Sequence, residues 1–147
     1  MKMTIRYEHT IQVARNPQDT FALLDNLPLT PQWLEPCTAL VKLTPGPNEV
    51  GDKLKYSYSQ SGHSGEMEGE IVTRIPSEKL TCRYADAMFE VVIDFNMREQ
   101  DSGTQLTHVI TMTPKTMMGK MIAPMIKMGV PKQTHNAMES IKAMLEQ

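Results

Sequence analysis

Much that would place a chain quickly is missing from this sequence. Its 147 residues include only two cysteines, Cys37 and Cys82. No disulfide framework can be built from them, and two free thiols are expected. Neither sign of charge dominates: 15 Lys and Arg stand against 17 Asp and Glu, for a formal net charge of −2. This balance excludes an acidic disordered tail and removes the electrostatic reason to expect a nucleic-acid partner. The longest candidate membrane stretch, residues 117–128, is interrupted by Lys120, Pro124 and Lys127. It falls well short of the roughly 20 apolar residues that span a bilayer, so no transmembrane segment is expected. The opening MKMTIRYEHT has neither an apolar signal-peptide core nor a small-residue cleavage site, which predicts a cytoplasmic protein. Repeats, linkers and low-complexity stretches are also lacking, so residues 1–147 read as one domain.

What is present is alternation. Over residues 4–14, Ile5, Tyr7, Ile11 and Val13 recur at every second place between polar neighbours, the pattern of a half-buried strand. Asn16 and Pro17 then supply a cap and a first helical position, and Asp19 suits the positive first turn. A short helix over residues 17–25 should turn Phe21 and Leu24 inward, and Thr30-Pro31 predicts a second brief helix through Trp33 and Leu34. From residue 38 the period is two again, in runs 38–43, 50–60, 65–75, 78–84, 88–97 and 104–112. Turn chemistry separates them: Pro45-Gly46-Pro47-Asn48, Ser61-Gly62-His63-Ser64, Pro76-Ser77, Ala85-Asp86-Ala87 and Asp101-Ser102-Gly103. Connections this short demand antiparallel neighbours. The last segment, 114–146, is helical in period, with breaks expected at Pro124 and at Gly129-Val130-Pro131. Only this helix is long enough to cover one face of a curved sheet, with a cavity left between them.

Six stretches carry a family resemblance: residues 13–25, Pro31-Gln32-Trp33, Val50-Gly51-Asp52, Gly69-Glu70, 103–107 and 141–146. Together they resemble the polyketide cyclase/dehydrase and lipid-transport branch of the START/Bet v 1-like (SRPBCC) superfamily. The resemblance runs almost end to end and implies an α+β helix-grip fold. In that fold a curved seven-stranded antiparallel sheet wraps around a long C-terminal helix, with two short helices after the first strand. It implies no single chemistry, because the family holds hydrophobic-ligand carriers as well as aromatic polyketide cyclases. The Met-rich, twice proline-interrupted terminal segment departs from the family's smoother amphipathic helix.

Taking the apolar parity of each strand as inward, the concave wall reads Tyr7, His9, Ile11 and Val13; Leu54, Tyr56, Tyr58 and Gln60; Met67, Ile71, Thr73 and Ile75; Leu80, Cys82 and Tyr84; Phe89, Val91, Ile93 and Phe95; and Leu106, His108, Ile110 and Met112. The same parity sends Glu66, Glu68, Glu70, Glu90, Asp94, Lys53, Lys55, Arg74 and Arg83 to water. No inward carboxylate remains to orient a base, so any catalysis must rest on histidine or tyrosine and no catalytic residue is assigned. His9 and His108 fall opposite each other if the first strand pairs with the last. They either hold a ligand group between them or simply complete the wall through ordinary hydrogen bonds. Tyr56, Tyr58 and Tyr84 either orient a ligand or reach water at the rim. Trp33 reads as a plug, and the thiols, with no flanking cation, as inert. A metal would need a third ligand, yet His63 sits in a loop and His135 on the polar side of its helix; no metal or cofactor is expected.

Eight of the 13 methionines fall between Met112 and Met144, and Met121 and Met125 are expected to line the cavity. The ligand-binding set is therefore Tyr7, His9, Trp33, Tyr56, Tyr58, Met67, Cys82, Tyr84, Phe89, Val91, His108, Ile110, Met112, Met121 and Met125. The leading expectation is binding or transport of a small hydrophobic or aromatic molecule, lipid or polyketide-like. One alternative is a polyketide cyclase or dehydratase using the inward His and Tyr. The other is a lipid- or protein-interaction module acting through the Met-rich segment, with weak membrane-surface contact.

Overall fold

A computed structural model describes residues 4–60 and 62–147. The chain runs β1 (Ile5–Val13), α1 (Pro17–Asp25), a 3-10 turn (Leu27–Leu29), α2 (Thr30–Trp33), β2 (Cys37–Lys42), β3 (Lys53–Gln60), β4 (His63–Ile75), β5 (Lys79–Ala85), β6 (Phe89–Gln100), β7 (Gly103–Pro114) and α3 (Met117–Leu145). All seven strands form one antiparallel sheet in the order β1-β7-β6-β5-β4-β3-β2. Consecutive strands are neighbours from β2 to β7, as their short connections require. β1 closes the far edge on β7, and two small helices follow it. This is the helix-grip fold expected from the sequence.

The caps act where the sequence places them. The Asn16 side chain accepts from the Asp19 amide at 2.7 Å and Pro17 opens α1, which buries Phe21 and Leu24. Thr116 caps α3 by accepting from the Gly119 amide at 3.0 Å. The hairpins are tighter than the composition suggests. β6 and β7 pair up to Gln100↔Gly103, so only Asp101 and Ser102 turn the chain, both at positive φ. Gly103 lies in the strand, where a Cβ would collide with the Val13 carbonyl. β3 and β4 pair up to Gln60↔His63. That places His63 and Ser64 in a strand rather than a turn; Ser61 lies outside the described residues.

Two further expectations fail. The segment after Pro114 is one helix from Met117 to Leu145, unbroken at Pro124 and at Gly129-Val130-Pro131. Each proline removes one amide bond to the carbonyl four residues back, at Lys120 and Lys127. Both of those residues are exposed, so water can take the freed acceptors. The second failure is in β4. A bulge between Ile71 and Thr73 shifts the register from Ile71↔Cys82 to Thr73↔Thr81 and Arg74↔Leu80. One extra residue reverses the parity beyond it. Thr73 and Ile75 therefore leave the inner face and Arg74 joins it. Its guanidinium bonds Asp25 at 2.7 and 3.0 Å and lies 5.3 Å above the Phe21 ring. Burial opposes the charge on Asp25, but bonds from Arg74 and Asn48 outweigh it and hold the carboxyl below its ordinary value.

α3 packs chiefly on β1 and β7 and touches α2, while α1 covers β5 to β7, and α2 with the 3-10 turn covers β2. The best-enclosed part of the core is shared by Val13, Leu24, Ile71, Leu106, Met138 and Ile141. Three polar bonds tie the helix end to the β1–α1 junction. Ala14 N donates to Glu146 Oε2 at 2.8 Å, Lys142 Nζ to the Gln12 carbonyl at 2.7 Å, and Arg15 Nη1 to the Leu145 carbonyl at 3.1 Å.

Candidate functional site

The concave wall changes character along its length. On β7, Leu106 is fully enclosed, His108 is 6% exposed, and Ile110 and Met112 are half-buried. Their cross-strand partners are Met97, Phe95, Ile93 and Val91. Tyr56 and Tyr58 on β3 and Ile122 and Ile126 on α3 are half-buried against the same core. The helix explains the gradient. Its last three turns press Met138, Ile141 and Leu145 onto the sheet, whereas its first three offer Gly119, Ala123 and the edges of Ile122 and Ile126. Gly119 is obligatory there, since a Cβ would lie 2.8 Å from the Met88 carbonyl. Small residues bring the backbone close without filling the space beside it.

His108 marks the boundary. It pairs in register with His9, and its ring meets Phe95 edge-on at 5.0 Å; Phe95 in turn meets Trp33 at 5.7 Å. Two polar atoms in this row are enclosed without a partner among the described residues: His108 Nδ1 and Trp33 Nε1. Such atoms are uncommon in folded proteins. Burial first, then the nearby His9, lowers the His108 pKa to about 4, with Asp94 opposing. At neutral pH the ring is uncharged, one nitrogen donating and the other accepting.

The tyrosines lie against β4 because that strand is cut back to glycine opposite them. Tyr58 pairs with Gly65, where a Cβ would come 2.7 Å from its hydroxyl. Tyr84 pairs with Gly69, where a Cβ would come 2.6 Å from its ring. Tyr56 sits between them, 6.0 Å from the Tyr58 ring and 5.3 Å from that of Tyr84. Burial raises the phenol pKa of Tyr56 and of Tyr84, and burial also pushes the Cys37 and Cys82 thiols up to about 11. At neutral pH these groups are weak hydrogen-bonding surfaces and not nucleophiles.

Other residues of the expected set sit as follows. Met67, Cys82, Phe89, Val91 and Trp33 are buried on the inner side. Gln60 reaches the mouth, where its amide donates to Gln133 Oε1 at 3.3 Å. Tyr7 and His9 are half-buried at the seam between β1 and α3. There they meet a residue that the sequence places on the polar side of its helix. The His135 ring stacks on His9 at 4.0 Å, and its Nε2 shares a 2.8 Å hydrogen bond with the Tyr7 hydroxyl. The crossing of helix over edge strand creates this contact, and no local pattern announces it. Burial and His135 lower the His9 pKa, while Glu139 opposes. Among the described residues no three His, Cys, Asp or Glu side chains are arranged to hold a metal.

Met121 and Met125 are not part of the wall. With Met117, Met118 and Met128 they are 65–84% exposed, on the arc of α3 opposite the sheet. The first half of this helix has two apolar arcs, and the close approach at Gly119 and Ala123 selects the other one. Two clefts open on the strands away from α3. One of about 320 Å³ is lined by Thr38, Ser57, Tyr58, Ser59, Ser64, Gly65 and Glu66, and one of about 340 Å³ lies over Lys53, Glu68, Glu70 and Arg83. Neither is the cavity expected between sheet and helix, where the wall residues Ile93, Ile110 and Met112 and the helix residues Ile122 and Ile126 are half-buried.

No family model and no curated protein sequence matches the chain. Solved structures do. The Zhui aromatase/cyclase from Streptomyces sp. R1128 is similar with a TM-score of 0.82 at 12% identity, over 98% of this chain and 94% of that one. A START superfamily protein from Mycobacterium smegmatis is similar with a TM-score of 0.78 at 14% identity, over 97% of each chain. Ara h 8.0201 is similar with a TM-score of 0.73 at 13% identity, over 97% of this chain and 98% of that one. At these identities the likeness is one of fold, the helix-grip fold described above.

Proposed function

We propose that this protein binds a small apolar or aromatic molecule carrying one hydrogen-bonding group, held on the concave face under the first half of α3. The observation that carries this reading is His108 Nδ1, enclosed and unpartnered at the edge of a half-buried apolar wall. Pockets for such ligands are mostly apolar with a few placed polar atoms, and a free nitrogen beside Ile93 and Ile110 fits that description. Trp33 Nε1, a donor only, offers a second point of attachment. That one neighbour is named a START protein and another an aromatase/cyclase agrees with a ligand of this class. Binding is favoured over ring closure because the buried histidine is uncharged and the strand parity turns the Asp94 carboxylate to the other face of β6. No helix among the described residues is long and apolar enough to cross a membrane.

The test uses 2-naphthol and naphthalene as probes, followed by fluorescence and calorimetry. Ile110→Trp, which fills the wall, is expected to abolish binding of both. His108→Leu should weaken 2-naphthol by about 2- to 10-fold, the worth of one hydrogen bond, and leave naphthalene unchanged. Unaltered binding in folded Ile110→Trp and Ile93→Trp variants would overturn the site. Turnover of a polyketide-like substrate that vanishes in His108→Leu with binding intact would replace the carrier by the cyclase.

A further inference from the structure

The exposed methionine arc of α3 has no role in the site above. Met117, Met118, Met121, Met125 and Met128 are the most exposed large apolar side chains of the helix, and the core claims the opposite arc. An apolar stripe of this kind on a soluble surface marks contact with something else. The surrounding charge points to what that is. From Ser102 to Met138 there is no aspartate or glutamate, while Lys115, Lys120, Lys127 and Lys132 fall within that stretch, in a chain whose net charge is −2. Among the described residues none of these four lysines forms an ion pair. Lys115 Nζ donates to the Asp86 carbonyl at 2.8 Å, while Asp86 Oδ1 accepts from the amides of Met88 and Phe89. Lys120 and Lys127, two turns apart, flank the stripe, and Lys132 continues it.

We infer that this arc is a docking surface for an anionic lipid bilayer, on which α3 lies in the interface plane. Flexible thioether side chains suit a fluid partner with no fixed shape. Lysines reach outward from their apolar stems to the phosphate level. An amphipathic helix with an apolar face and unpaired cations on its flank is the recognised architecture of interfacial binding. A protein groove would need matching acidic groups at fixed positions, whereas a bilayer surface supplies negative charge at any position. The bilayer would meet the same half of α3 that leaves the concave wall half-buried. This inference stands on surface charge and exposure and does not depend on the proposed ligand.

Co-sedimentation of the full chain with vesicles tests it, comparing pure phosphatidylcholine with a mixture containing roughly three-tenths phosphatidylglycerol. Binding to the mixed vesicles is expected to be at least about tenfold stronger than to phosphatidylcholine alone and to fall steeply with added salt. Met121→Gln with Met125→Gln, and separately Lys120→Glu with Lys127→Glu, should each lose most of it. All four positions are exposed, and unchanged thermal unfolding will show that the variants fold. Equal binding to both vesicle types, no binding to either, or binding indifferent to both double variants overturns the inference. So does concentration-dependent dimerisation that the methionine pair abolishes, which would make the arc a self-association face. Retained 2-naphthol binding in the lysine pair would separate this surface from the inner wall.

Discussion

Between Thr134 and Leu145, α3 lays Met138 and Ile141 fully enclosed against β1 and β7, and its end is tied to Gln12, Ala14 and Arg15 by hydrogen bonds through the charged side chains of Lys142, Glu146 and Arg15. Between Met117 and Met128 the same helix gives the sheet a glycine, an alanine and the edges of two isoleucines, and holds five methionines out to solvent. Both halves are helical and apolar. What separates them is the side-chain volume delivered to the sheet. A half that fills its interface anchors the fold; a half that approaches closely with small residues leaves both the wall beneath and the arc above open to other molecules.

The largest test of this contrast is truncation in each half. Ile141→Ala should cost about 2 to 5 kcal/mol in urea unfolding, the range for a large aliphatic removed from a filled core, and Ile126→Ala should cost under about 1. Similar losses at both would erase the distinction.

Next in size is the response to acid of the residue at the boundary. His108 is held at about 4 against an ordinary value of 6.5. A folded-state value below the unfolded one means the neutral ring stabilises fully above 6.5, and this is lost as pH falls towards 4. At 1.36 kcal/mol per unit the loss approaches about 3 kcal/mol. Stability measured from pH 7 to pH 4 should fall less in His108→Leu than in the parent chain. A His108 ring that titrates near 6.5 by NMR would put water at the boundary.

A smaller effect is expected at the anchored side's polar seam. Asp25→Asn breaks the two-bond pair with Arg74 and should cost about 1 to 3 kcal/mol. The depressed carboxyl value places this stabilisation above the ordinary carboxylate range, to be lost as pH drops through the folded-state value. The parent and the variant should therefore converge in strong acid, and a constant gap at all pH values would show that packing, not charge, is involved.

The smallest effect belongs to the open arc, where Met125→Gln should change stability by under about 0.5 kcal/mol. A loss above 1 would mean that the methionines pack on the core after all.

Local rules in the sequence were enough to determine the seven strands, the antiparallel pairing of consecutive ones, the capped first helix and the inward parity of β1, β3, β5, β6, β7 and of β4 up to its bulge. Period two, turn residues and helix caps act over a few neighbours, and their consequences can be read from those neighbours. His9 stands opposite His108 because β1 pairs with β7, the condition on which the sequence reading makes that placement depend. Three features were decided by tertiary structure alone. The bulge after Ile71 brought Arg74 inward, because one unpaired residue reverses parity without altering composition. The seam of His9, His135 and Tyr7 formed because the angle at which a helix crosses an edge strand depends on everything packed beneath it. And of two apolar arcs on α3, the one with glycine and alanine met the sheet. Amphipathicity says that a helix has an inner face, but only close packing against the Met88 carbonyl determines which arc that is.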